Sequence, residues 1–181
     1  METLQWNEVL ATGIREIDEQ HKCLLDILNQ LREAIERGEH KTANVALKQM
    51  RDYASYHFNF EEKLLEKAGY GMLPLHRRVH ELFVARVQQF QQRYAAGEDI
   101  LRELHNMLAR WLVNHIQNED RNYATTVKAY LRREKRKRRK AREQHTGQAP
   151  QPADASTHKA AGQADKRSLW GRLSDFMSGE F

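Results

Sequence analysis

Apolar residues recur at helical spacing in four successive stretches of the chain. In residues 14–38, IREIDEQHKCLLDILNQLREAIERG, the residues Ile14, Ile17, Leu24, Leu28, Leu31 and Ile35 fall three, four or seven positions apart, and Gly38 supplies a stop. Residues 41–69 repeat the pattern through Val45, Leu47, Met50, Tyr53, Phe60 and Leu64 and stop at Gly69. Residues 74–97 open on Pro74, which suits a first helical turn, and run through Val79, Phe83, Val87 and Phe90 to Gly97. Residues 98–131 begin with acidic side chains, favourable at a helix N-terminus, and continue through Leu101, Leu104, Leu108, Trp111 and Leu112. Four amphipathic helices with short connections predict an all-α fold, an antiparallel up-down four-helix bundle over residues 1–131.

The polar positions change this picture, because several of them interrupt the apolar faces. His57 and Glu61 in HFNFE are four residues apart, as are His76 and His80 in HRRVH, so each pair projects from one helical face. HFNFE taken alone fits a solvated surface pair as well as half of a site. Tyr53, Phe60 and Leu64 flank the first pair at helical spacing, and Val79, Phe83 and Val84 flank the second, which favours the site. His21 stands among Ile17, Leu24, Leu25 and Leu28, and His115 falls on the stripe of Leu108, Trp111 and Leu112. Buried imidazoles and carboxylates are costly unless paired or bound to a metal. Asp120, five residues after His115, lies about 140° round a regular helix and reaches the same site only if its side chain leans or the helix loosens into a π-bulge.

Composition narrows the chemistry. The 181-residue chain has a single cysteine, Cys23, which excludes a disulfide framework and a thiolate zinc site. No apolar run is long enough for a membrane span and the N-terminus has no signal-peptide pattern, so the expectation is a soluble cytoplasmic protein. The net charge of +5 conceals an asymmetry. Residues 132–181 hold 13 Lys and Arg against 6 Asp and Glu, and residues 1–131 hold 17 against 19 together with seven of the nine histidines.

His21, His57, Glu61, His76, His80, His115 and Asp120 are too many ligands for one octahedral ion. Two octahedral ions that share both carboxylates and one solvent-derived oxygen would fill every position but one. Imidazole and carboxylate without thiolate suit iron, since zinc takes four ligands and magnesium or calcium more oxygen.

At roughly residues 6–131 the sequence resembles the bacterial hemerythrin (bacteriohemerythrin) family, through TGI..ID.QH..L...LN.L, YHF..EE, GY.....H...H..F and WL..HI...D..Y. All seven ligand positions match that family, with its spacings inside each helix; a departure is Gly71, where relatives often carry Pro. The resemblance implies two Fe ions per chain, one held by His76, His80 and His115 and the other by His21 and His57. Glu61, Asp120 and an oxo or hydroxo group would bridge them. It further implies that O2 binds reversibly at the open position of the two-histidine iron, which requires a dry pocket. Leu24, Phe58, Trp111 and Ile116, adjacent to ligands, are the candidate pocket walls, with ordinary core packing as the competing account.

Other features call for less. His40 and His105 match no ligand position, and Cys23 points about 200° away from His21. Residues 132–143 extend the last helix as a basic rod, residues 144–166 read as a flexible linker, and residues 167–181 place Leu169, Leu173, Phe176 and Met177 as a short amphipathic helix. The basic tail over 132–181 suits solvation, a protein partner, an anionic membrane surface or nucleic acid. The leading function is therefore non-enzymatic oxygen storage, transport or delivery. The alternatives are an oxygen or redox sensor or adaptor signalling through the tail, and a di-iron oxidase-type enzyme, which the absence of a Glu-x-x-His pair disfavours.

Overall fold

The computed structural model describes residues 3–146; the rest of the expected linker and the segment 167–181 lie outside the described residues. Helix α1 spans Arg15–Glu36, α2 spans His40–Ala68, α3 spans Leu73–Ala95 and α4 spans Leu101–His115. A π-helical turn, Ile116–Asp120, joins α4 to α5, Arg121–Thr146, so the fourth rod of the bundle is one helix with a local change of winding. Each rod packs on its chain neighbour and α1 closes the ring against α4. No helix among the described residues is long and apolar enough to cross a membrane.

Local chemistry sets the ends. Gly69 takes a left-handed conformation (φ 72°) that only glycine adopts cheaply, and the turn is closed by Gly69 N donating to Glu66 O and Tyr70 N to Leu65 O. Pro74 stands in the first turn of α3, where its missing N–H costs nothing. Asp18, in the first turn of α1, accepts from Thr12 N (2.8 Å), Thr12 Oγ1 (2.7 Å) and Gly13 N (3.0 Å), which ties the N-terminal segment to the bundle.

Two apolar clusters fill the interior. The larger includes Leu24, Leu28, Phe58, Phe83, Leu108, Leu112 and Ile116; the smaller holds Ile14, Ile17, Leu65, Leu73, Tyr123, Ala124 and Val127. Along every rod the polar candidates fall between the two. Helix α1 runs Ile17, His21, Leu24; α2 runs Phe58, Glu61, Leu65; α3 runs Leu73, His76 and His80, Phe83; the last rod runs Leu112, His115, Asp120, Tyr123. The order of clusters reverses from each rod to the next, as an up-down bundle requires, and the polar residues form one layer inside it.

The buried face of α2 departs from the expectation. Val45 is 56% exposed, Leu47, Tyr53, Phe60 and Leu64 are half-buried, and the interior face is Ala43, Ala46, Met50, Ala54, His57, Phe58, Glu61 and Leu65. Alanines let α1 and α2 approach closely, so small residues carry a stripe that a search for large apolar ones misplaces. On α3, likewise, Val79 is half-buried and Val84 exposed, so of the residues flanking the histidine pair only Phe83 is fully in the core.

Candidate metal centre

All seven predicted ligand residues converge in the polar layer, each no more than 3% exposed. Their donor atoms fall into two groups, Glu61 with His76, His80 and His115, and Asp120 with His21 and His57; within each group the atoms lie within 4.8 Å of one another. Asp120 straddles both: Oδ1 is 3.1 Å from His115 Nε2 and Oδ2 is 3.2 Å from His21 Nε2. Glu61 turns one oxygen to both sides, with Oε2 3.3 Å from the Nε2 atoms of His76 and His80 and 3.8 Å from that of His57.

The π turn explains how Asp120 arrives. Its i→i+5 winding places five residues where a regular helix would place four, which brings the fifth residue after His115 back to the histidine's face. The geometric mismatch in the sequence therefore reports a real change of helix type.

Three side chains to which the sequence pattern gives no role orient the layer. Gln20 Oε1 lies 2.8 Å from His57 Nδ1, and Glu62 Oε1 lies 2.9 Å from His80 Nδ1, so both rings can give their Nδ1–H outward and keep the Nε2 lone pair for the centre. Glu62 is itself held by Arg77 Nε at 2.8 Å. The Tyr123 hydroxyl, fully buried, donates to Glu61 Oε1. Each adjoins a ligand in sequence or lies one helical turn from it, but its partner is on another helix.

Electrostatics suit a cation. Burial pushes the His57 imidazole down to about 3 against the pull of Glu61, so it presents a neutral ring. Burial raises the Glu61 carboxyl, but His57, His76 and His80 outweigh it and hold the group well below the usual carboxylate range. Asp120 is likewise lowered, His115 and His21 overcoming burial and the Glu61 charge. Burial, Asp120 and Glu61 together keep the Tyr123 phenol protonated by pushing it well above its ordinary value. Even so, His21 Nε2, His57 Nε2, His76 Nε2, Glu61 Oε2 and both Asp120 oxygens are buried without a hydrogen bond. Six orphaned atoms aimed at one small volume would be costly in a site meant to stay empty, and their nitrogen and oxygen chemistry fits iron.

Aromatic rings wall the layer on one side. Phe58 stacks on His80 (3.8 Å between centroids, 13°) and Trp111 on His115 (4.3 Å, 14°). Beyond them lies a cavity lined only by Leu24, Leu28, Met50, Ala54, Phe58, Phe83, Leu108, Trp111 and Leu112. It has room for roughly one small molecule. Leu24, Phe58 and Trp111 line it; Ile116 is buried nearby in the same cluster but is not among its walls. His40 is exposed and Cys23 half-buried, both outside the donor groups. His105 is also outside them, yet it is buried, and burial pushes its imidazole down.

Residues 12–127 match the hemerythrin HHE cation binding domain. The chain is 44% identical over 131 residues to a bacteriohemerythrin of Stenotrophomonas maltophilia, covering 72% of this chain and 86% of that one. It is 42% identical over 128 residues to a bacteriohemerythrin of Pseudomonas aeruginosa, covering 71% and 84%. A wild-type hemerythrin crystal structure, 26% identical, superposes with a TM-score of 0.66 over 70% of this chain and 98% of that one.

Proposed function

Because the chain belongs to the hemerythrin HHE cation-binding family, which implies a non-haem di-iron centre, we propose that it binds O2 reversibly there, as an oxygen store or carrier without turnover. The observation that carries this reading is the two-group convergence of orphaned donor atoms beside a cavity lined by apolar and aromatic side chains. His76, His80 and His115 would hold one iron, His21 and His57 the other, with Glu61 and Asp120 shared. Two ferrous ions would supply the electron pair that O2 takes on binding and returns on release.

The protein's part is orientation and exclusion. Gln20 and Glu62 fix two rings, Tyr123 fixes the Glu61 carboxylate, and the stacked Phe58 and Trp111 shield the layer. No cavity wall carries an ionisable side chain, and the indole of Trp111 is the one wall group with an N–H, so nothing there readily gives up a proton to bound oxygen or holds a charged substrate against it. That favours release of O2 intact over oxidase chemistry.

Iron analysis with visible spectra before and after air tests the reading. The expected result is two irons per chain and a colour that appears in air and is reversed by removing oxygen; steady consumption of O2 with a reductant would overturn it. Leu24→Gln is expected to speed conversion to the diferric form several-fold, and Ile116→Gln less, because only Leu24 lines the cavity. Equal rates in the parent and Leu24→Gln proteins would remove Leu24 from the pocket.

A second reading, a sensor or adaptor, draws support from one observation. The helix after the π turn that carries Asp120 runs unbroken into the basic segment beyond residue 131. A partner that binds the reduced and oxygenated forms equally would argue against it.

A further inference from the structure

Helix α5 leaves the bundle after Leu131, which still packs against the smaller apolar cluster. Nine Lys and Arg side chains lie between residues 132 and 142, and every one is exposed. At about 100° per residue they spread over roughly 260° of the helix circumference, leaving one narrow arc to Glu134 and Ala141. Pairs such as Lys137 with Glu134 (2.9 Å) and Arg139 with Glu143 (3.3 Å) are solvent-exposed turn-to-turn contacts that support the helix without burying its charge.

We propose that this part of α5 is a docking helix for double-stranded DNA, received in the major groove with phosphates on both sides. The distribution of charge selects this partner. A flat anionic surface meets one side of a helix, so about half of the cations would face away from it. A groove roughly 12 Å wide accepts a helix of about 10–12 Å diameter and presents phosphates along both walls. A lipid surface would also reward an apolar face, and between residues 132 and 144 the one apolar side chain is Ala141. Single strands are bound by stacking on aromatic side chains, and this segment has none. The contacts are to phosphate, so the affinity is largely independent of sequence and strongly dependent on salt. The inference rests on α5 alone and does not require the oxygen-binding reading.

The test is a titration of the full iron-loaded chain against a short mixed-sequence DNA duplex over a range of salt, beside vesicles of phosphatidylserine and phosphatidylcholine. The expected result is duplex binding whose log affinity falls linearly with log salt, tighter than vesicle binding at equal ionic strength. Combining Lys135→Gln, Arg136→Gln, Arg138→Gln and Arg139→Gln should weaken duplex binding at least about tenfold and flatten the salt slope by roughly 0.9 for each phosphate that is no longer neutralised. Iron content should be unchanged, because these side chains are exposed and remote in sequence from the donor residues. Glutamine keeps the helix propensity of the residues it replaces. A second variant exchanging Arg136, Arg138 and Arg139 for Lys keeps the charge and should retain most of the affinity. Duplex binding that is absent, unaffected by the Gln substitutions, or weaker than vesicle binding would overturn the proposal.

Discussion

Glu61→Ala is expected to abolish binding of both metal ions, whereas His57→Ala should leave one of them in place. The two residues share a helix face one turn apart, yet their positions in the layer are unequal. Glu61 Oε2 stands 3.3 Å from the Nε2 atoms of His76 and His80 and 3.8 Å from that of His57, so its charge serves both donor groups. His57 belongs only to the group with His21 and Asp120. Substituting a residue that merely supports a metal ligand typically costs about 10–100-fold in affinity, so removing a shared, fully buried carboxylate should cost more. Glu61→Gln separates charge from volume, since it keeps the shape and the contact with Tyr123. Anaerobic titration with ferrous ion, followed by iron analysis, reads the outcome. Equal losses in the Glu61 and His57 variants, or two ions retained in Glu61→Ala, would dismantle the shared-carboxylate assignment.

The fold was legible because helical periodicity is a local property. Four stretches of apolar spacing and the glycines between them predict four rods, and short connections leave little besides antiparallel neighbours. The seven donor residues were legible for a related reason, since an imidazole or carboxylate on an apolar face has few stable fates. The awkward fifth step from His115 to Asp120 was informative in itself, because it called for a leaning side chain or a change of winding, and the helix changes its winding there. What escaped sequence reasoning depends on pairing across helices. Gln20 meets His57, Glu62 meets His80, and Tyr123 meets Glu61, contacts set by rotation and axial shift of one helix against another. The cavity is of the same kind. Leu28, Met50, Ala54, Phe83, Leu108 and Leu112 are unremarkable apolar residues until the four rods leave a gap among them. Val45 shows the opposite error, for a branched apolar side chain drew the stripe of α2 away from the alanines that form it.

Phe58→Ala should have the largest effect among the apolar positions, and it should act on two measurements at once. The ring is 6% exposed, stacks on His80 at 3.8 Å, and meets Phe83 and Trp111 edge-on at 5.7 and 5.8 Å. Deleting a buried phenyl costs roughly 3–5 kcal/mol, as lost transfer energy plus the hole left behind, and urea denaturation of the metal-free protein should show it. That hole would also join the existing cavity, since Phe58 is one of its walls. The enlarged space would reach His80 and could hold several waters where about one small molecule fitted before. Water at that edge offers a proton source and a hydrogen-bonding partner on the one side where apolar and stacked groups wall the layer, so conversion to the diferric form in air should accelerate by more than in Leu24→Gln. Phe58→Leu separates the two effects, because it refills much of the volume without the stack on His80. If exclusion of water is the controlling factor, Phe58→Leu should return most of the way to the parent oxidation rate while remaining less stable than the parent. If stability falls in Phe58→Ala and the oxidation rate does not move, Phe58 is a packing residue that happens to stand beside the centre.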